Sequence, residues 1–311
     1  MTRGHLKTVL VAVGALVSAV VLRAPALSLL LGVCYGLLDL NFDPTRIKKI
    51  QTQLLSLSVV CLGAGLNFTS AIRVGSQGVL LTAGLLTSVF LLGYLLSRWL
   101  KVPRDEAVLI SVGTGICGGS AIAAVASVLR PKDSALALSL AIVFLLNGLA
   151  LIVLPPLGHW LGLSQSSFGW WSALAIHDTS SVVGAAMQYG REALEIGTTA
   201  KLARALWIIP VTLIVSLWFR KEAKQRLNIP WFIPAFLVAS AIFSYFPGLS
   251  AAREIVVMFA RRGFVLVLFF VGLGISKKSL RELRPTVGLM GVLLWLFSLL
   301  ASYVPARVLG Q

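Results

Sequence analysis

Charge is what this sequence has least of. Eleven acidic and 27 basic side chains make up 12% of 311 residues, against about 25% charged in an ordinary soluble chain. Hydrophobic residues take 58%. That combination excludes a water-soluble globular protein, which needs more polar surface, and a disordered one, which needs fewer aliphatics. Cysteine is scarce too. Cys34, Cys61 and Cys117 form no CxxC pair and sit in apolar stretches, so neither a disulfide framework nor a zinc site is expected. There are three histidines, His5, His159 and His177, and no phosphate-binding Walker loop, zincin helix or catalytic triad. The net charge of +16 would point to nucleic acid in a soluble protein. In this composition it reads as basic loops facing anionic headgroups, so the expected partner is the lipid bilayer and no nucleic acid.

What the chain does have is long apolar runs. A span needs about 20 apolar residues as a helix, and eleven candidates follow one another: 8–22, 24–38, 50–68, 79–100, 107–129, 134–157, 170–189, 198–219, 231–246, 254–276 and 286–304. Arg261-Arg262-Gly263 interrupts the tenth. The first run follows Arg3 and Lys7 and precedes Ala24-Pro25-Ala26, in the manner of a signal peptide. A second run follows at once, which favours a retained helix. The class is an all-α polytopic membrane protein forming one transmembrane transporter domain over residues 1–311. With the N-terminus inside, sixteen of the 27 basic residues fall in cytoplasmic segments, which favours a cytoplasmic N-terminus. The loop from His159 to Ser167 carries no Lys or Arg and fits that orientation poorly.

The pattern Gly-x-Gly-(Leu/Ile)-x-x-x-Ser occurs at Gly63 to Ser70, Gly113 to Ser120 and Gly272 to Ser279. The second and third copies lie five spans apart, hence in opposite orientation, as inverted-topology repeats require. The expected arrangement is an extra N-terminal helix (1–23) and two five-helix repeats (24–158 and 166–311). Close helix packing through common glycines explains the pattern equally well.

Three constellations carry the candidate chemistry. Ser111 to Ser120 places Gly113, Thr114, Gly115, Cys117, Gly118, Gly119 and Ser120 mid-way along an apolar span. Glycine at that density permits an unwound segment, and the N–H groups of the restarted helix would attract an anion. The matching break in the second repeat is expected at Gly272, Gly274 and Ser276. His177, Asp178, Thr179, Ser180 and Ser181 form a polar cluster inside another apolar span. At membrane depth an Asp and a His are costly and functional by default, and Asp, Thr and Ser are also good helix caps. Lys201 and Arg204 share one helix face. They would bind an anion, pair with Asp178 or snorkel to headgroups. Asn147, the one amide in its span, lines the site or bonds a neighbouring helix.

The runs Gly113-Thr114-Gly115-Ile116-Cys117-Gly118-Gly119-Ser120-Ala121-Ile122-Ala123-Ala124 and Ile176-His177-Asp178-Thr179-Ser180, together with Lys201-Leu202-x-Arg204, resemble the signatures of the YeiH-like family, which carries a sulfate-exporter label. The resemblance covers nearly the whole chain. It implies a bacterial inner-membrane protein, grouped with bile-acid and arsenite transporters, and a five-plus-five inverted repeat with crossed broken helices. Lys277-Lys278 stands where Gly118-Gly119 stands in the first repeat, so the two breaks are not chemically equivalent. The expected function is secondary transport of a small anion such as sulfate or a sulfonate, without a cofactor, with H⁺ or Na⁺ as coupling ion and a homodimer as a candidate assembly. An anion channel or a membrane enzyme using His177 and Asp178 are the alternatives; the lack of a nucleophile or metal set argues against an enzyme.

Overall fold

A computed structural model describes residues 13–14, 17–18, 25–38, 44–219, 231–274 and 283–311. Most of the first apolar run, the basic segment Arg220–Arg226, and Ser276, Lys277 and Lys278 lie outside the described residues. Everything regular that is described is helical: α1 (Pro25–Leu37), α2 (Pro44–Gly63), α3 (Phe68–Trp99), α4 (Arg104–Gly115), α5 (Gly119–Leu129), α6 (Asp133–Trp160), α7 (Gln165–Ala175), α8 (Thr179–Tyr189), α9 (Arg191–Ala205), α10 (Ile208–Phe219), α11 (Phe232–Tyr245), α12 (Ser250–Leu273) and α13 (Pro285–Leu309). Five stretches are long and apolar enough to cross a membrane: α3, α6, α9 with α10, α12 and α13. Trp99, Trp160 and Trp231 are exposed at helix ends, where aromatic side chains suit the membrane–water boundary.

The ends obey local rules. Helix α4 starts after Pro103 with Asp105 and Glu106 in its first turn, acids complementing the positive helix end. Ser164 caps α7 by accepting from the Ser167 N–H at 3.1 Å, and Pro285 opens α13, where its missing N–H costs nothing. Inside α6, Pro155 cannot donate to the Leu151 carbonyl. Gln188 Nε2 donates to that carbonyl instead, at 3.4 Å. His159 sits in the last turn of α6 and stacks on Tyr189, ring centroids 4.1 Å apart.

The chain divides into two compact units, residues 1–72 with 230–278, and residues 73–229 with 279–311. In the first, α12 packs on α1 and α2, and α11 on α2. Helices α1 and α12 touch backbone to backbone: a Cβ on Gly272 would collide with the Leu29 carbonyl, and one on Gly32 with the Phe269 carbonyl. Ser28 Oγ donates to the Val265 carbonyl across the same contact, at 2.6 Å. Arg261 and Arg262 do not interrupt α12, which is one continuous helix. In the second unit α4 and α5 lie against α6, α7 packs on α9 and α13, and α8 packs on α6 and α9.

The three Gly-x-Gly copies share one structural role: each terminates a helix. Gly63 ends α2, Gly115 ends α4, and Gly274 caps α12. The turn after Gly63 has its carbonyls satisfied, Gly65 by Arg253 at 2.8 Å and Leu66 by Ser240 and Ser244, each at 3.2 Å. Gly272 lies in the last turn of α12, and the expected break beyond it falls on residues outside the described ones. Among the described residues the partner of the α4/α5 break is the one between α7 and α8. At all three places the motif marks where a helix stops.

Candidate functional site

Two spans of the second unit are each broken into halves of nearly equal length. Residues 116–118 separate α4 (12 residues) from α5 (11 residues), and residues 176–178 separate α7 (11 residues) from α8 (11 residues). The first break turns at Gly118, whose φ of +63° is open to glycine and strained for other residues. The second is extended at Ile176 (ψ 138°) and Asp178 (ψ 161°). The breaks meet. A Cβ on Gly118 would lie 3.3 Å from the Asp178 Cβ and 3.3 Å from a Val143 methyl of α6.

Each broken span presents a carbonyl end and an N–H end at this crossing. The carbonyl ends of α4 and α7 are negative and lack N–H donors from their own helices. Arg204 and Lys201, both on α9 and fully buried, reach them. Arg204 Nε donates to the Gly115 carbonyl at 2.9 Å and its Nη2 to the Thr114 carbonyl at 2.6 Å. Its Nη1 donates to the Leu174 carbonyl at 2.5 Å and the Ala173 carbonyl at 3.2 Å. Lys201 Nζ donates to the Ile176 carbonyl at 2.5 Å and the Ala173 carbonyl at 3.2 Å. The planar fork of Arg204 thus spans two helices at once, with its donors in a fixed geometry that a rotating ammonium lacks. Among the described residues neither cation forms an ion pair with Asp178, and neither snorkels.

The N–H ends are dressed differently. Asp178 caps α8, its Oδ1 accepting from the Ser181 N–H at 2.7 Å and its Oδ2 from Ser180 Oγ at 3.2 Å. Asn147 Oδ1 accepts from the N–H groups of His177 at 3.0 Å and Asp178 at 3.3 Å, fixing the second break to α6. Because the amide oxygen is used, Asn147 Nδ2 is the free end, and it is buried with no partner. Thr114 Oγ1 is likewise buried without a hydrogen bond, while the Ser181 hydroxyl lies against the Asp178 carboxyl group. Neither ring nitrogen of His177 makes a hydrogen bond of ordinary geometry, although the ring faces the Val143 carbonyl. Orphaned buried polar groups of this kind cost about 1–3 kcal/mol each and call for an explanation.

The sequence-predicted residues therefore come together, with one exception. Gly113, Thr114, Gly115, Cys117 and Gly118 are buried at the first break, while Gly119 is half-buried and Ser120 exposed. His177, Ser180 and Ser181 are buried and Asp178 and Thr179 half-buried at the second. Asn147, Lys201 and Arg204 join them. Gly272 and Gly274 belong to the other unit. The acceptors of Lys201 and Arg204, the carbonyls of residues 114, 115, 173, 174 and 176, were not anticipated, because main-chain acceptors leave no mark in the sequence.

A family model described as Conserved hypothetical protein 698 matches residues 5–287. The chain belongs to the UPF0324 family. A UPF0324 membrane protein of Bdellovibrio bacteriovorus is 44% identical over 276 residues, covering 87% of this chain and 85% of the relative. One from Vibrio parahaemolyticus is 44% identical over 279 residues (87% and 90% covered), and one from Porphyromonas gingivalis 41% over 281 residues (88% and 83%). No solved structure matches. Like these relatives, this UPF0324 chain is a multi-pass membrane protein, and the YeiH-like resemblance read from Gly113–Ala124 and Ile176–Ser180 agrees with that family.

Proposed function

We propose that the protein is a secondary transporter of a small anion, such as sulfate or a sulfonate, and that the crossing of the two broken spans holds the anion. The observation that carries this reading is the asymmetry of the crossing. Its carbonyl ends are taken by Lys201 and Arg204 and Asp178 caps α8, so what remains for a ligand is the N–H end of α5, Asn147 Nδ2 and the Thr114 hydroxyl. Broken helices whose positive ends face an anion near the membrane midplane are a recurrent transporter device. Unwound backbone in a membrane is tolerated only where it is buried in protein or lines a cavity.

In this reading Lys201 and Arg204 do not touch the anion. They neutralise the carbonyl ends and hold the halves in place. His177 and Asp178 are the candidates for carrying a coupling proton, and the Asp178 carboxylate for holding Na⁺. The protein works by alternating access in the bacterial inner membrane, with a cytoplasmic N-terminus, and is not an enzyme.

The test is flux in proteoliposomes loaded with radiolabelled sulfate or a sulfonate. Saturable, counter-anion-stimulated exchange that Asn147→Asp abolishes supports the reading. No exchange of any small anion by folded protein overturns it, and unsaturable current in a planar bilayer would make it a channel.

A further inference from the structure

Helix α12 carries two arginines at its middle. It spans Ser250–Leu273, 24 residues or about 36 Å, enough to cross a bilayer core of about 30 Å. Arg261 stands half-way along it, so about three turns separate it from either end. We infer that the first half of α12 lines a water-filled inlet reaching the middle of the membrane, with Arg261 as the charge that draws small anions into it. The inlet belongs to the first unit and is independent of the crossing of the two broken spans.

The two halves of α12 differ in exposure. From Phe264 to Leu273 every residue is buried except half-buried Leu266. Before them Glu254, Ile255, Met258, Phe259 and Arg261 are exposed. The exposed surface ends at the arginine, where the helix enters the protein. The other faces of this half are covered. A Cβ on Gly263 would collide with Ser58 Oγ of α2, and at about 100° per residue Gly263 lies nearly opposite Arg261. Arg253 turns inward, its Nη2 donating to the Gly65 carbonyl at 2.8 Å.

Exposure at this depth is exposure to water. A guanidinium keeps its charge in a protein, and a charge among acyl chains at mid-membrane is costly. Charged side chains in spans face the protein interior or a water-filled cavity, and snorkelling serves those near helix ends. Arg261 is neither buried nor near an end. Among the described residues no acid pairs with it and no carbonyl accepts from it. Glu254 shares its face, about 20° away around the helix and about 10 Å nearer the start, where water and salt screen the two charges from each other. Ile255 and Phe259 turn away, about 120° and 160° from Arg261. One edge of the exposed surface is thus polar, and the other suits lipid. An aqueous inlet whose inner end holds a guanidinium without a partner acid attracts anions and repels cations.

The experiment uses the full chain in proteoliposomes, with a cysteine introduced at Met258, one turn before Arg261, or at Phe259. The probes are two membrane-impermeant methanethiosulfonates present on both sides, one anionic (sulfonatoethyl) and one cationic (trimethylammonioethyl). Labelling at each introduced cysteine is read by peptide mass spectrometry, with rates normalised to a free thiol. A thiol in water ionises and reacts, and one in lipid does not, so Met258→Cys should react at least about tenfold faster than Phe259→Cys. It should also favour the anionic probe. Adding Arg261→Gln should lower the anionic-to-cationic ratio by about tenfold, the scale on which a charged cleft concentrates counter-ions. Arg261→Lys should keep the ratio near its starting value. Arg261→Cys serves as the labelling site if the Met258 variants do not fold. Labelling at Met258→Cys or Arg261→Cys as slow as at Phe259→Cys overturns the inlet. Fast labelling with a ratio that Arg261→Gln does not move overturns the role of the arginine. Neither result alters the reading of the crossing, which anion exchange tests separately.

Discussion

Removal of Arg204 tests the architecture most directly. Its guanidinium serves four carbonyls, at 2.9 Å (Gly115), 2.6 Å (Thr114), 2.5 Å (Leu174) and 3.2 Å (Ala173). In Arg204→Ala the Ala173 carbonyl keeps Lys201, and the other three lose the side chain that covers them. At about 1–3 kcal/mol for each buried group left unpaired, the cost is roughly 3–9 kcal/mol. That is a large part of a typical stability of about 5–15 kcal/mol. Thermal unfolding of the detergent-solubilised protein should therefore fall by at least roughly 6 °C, taking about 2 °C per kcal/mol for a chain of this size class. Hydrogen exchange should report the loss first in residues 104–129 and 165–189. Arg204→Lys restores charge but not the fork, so it should recover less than half of the loss. An Arg204→Ala protein melting within about 2 °C of wild type, or full rescue by lysine, would refute the claim that one planar side chain holds both broken spans.

Further substitutions separate holding from binding. Asn147→Ala removes the acceptor for two buried N–H groups and should cost about 2–6 kcal/mol, seen as a lower melting temperature. Asn147→Asp keeps that acceptor and loses the Nδ2 donor, so it should melt near wild type while anion exchange disappears. Gly118→Ala places a side chain on a residue at φ +63° and should cost roughly 1–2 kcal/mol, with exchange reduced in proteoliposomes. Gly272→Ala forces α12 away from the Leu29 carbonyl and should destabilise the first unit, which limited proteolysis between α1 and α2 would register.

Much of the site was written in the sequence, for reasons that can be named. Glycine density from Gly113 to Gly119 announced a break because a helix interior does not tolerate it cheaply. Asp178-Thr179-Ser180-Ser181 announced a helix start because those side chains cap, and Asp178 does cap α8. The pairing of breaks was harder to read. Gly-x-Gly at Gly113 and at Gly272 look alike, yet each only ends a helix, and the break that meets Gly118 lies at Asp178 and contains no glycine. Lys201 and Arg204 were legible as important because they are charged in an apolar region. Their partners were not, because a carbonyl is present at every residue and its exposure depends on where the helix stops.

Arg204 ties the first halves of both broken spans together, and Asn147 ties the second break to α6. The crossing is therefore an axle rather than a hinge: α4, α7 and the break before α8 cannot swing open without stripping buried carbonyls or N–H groups. Under the proposed transporter reading, such an axle requires the binding site to travel as cargo inside an intact block, exposed to one side and then the other by displacement of the whole block. The flexible joints of that reading are then to be sought in the connections at the block's edges, far from the crossing itself.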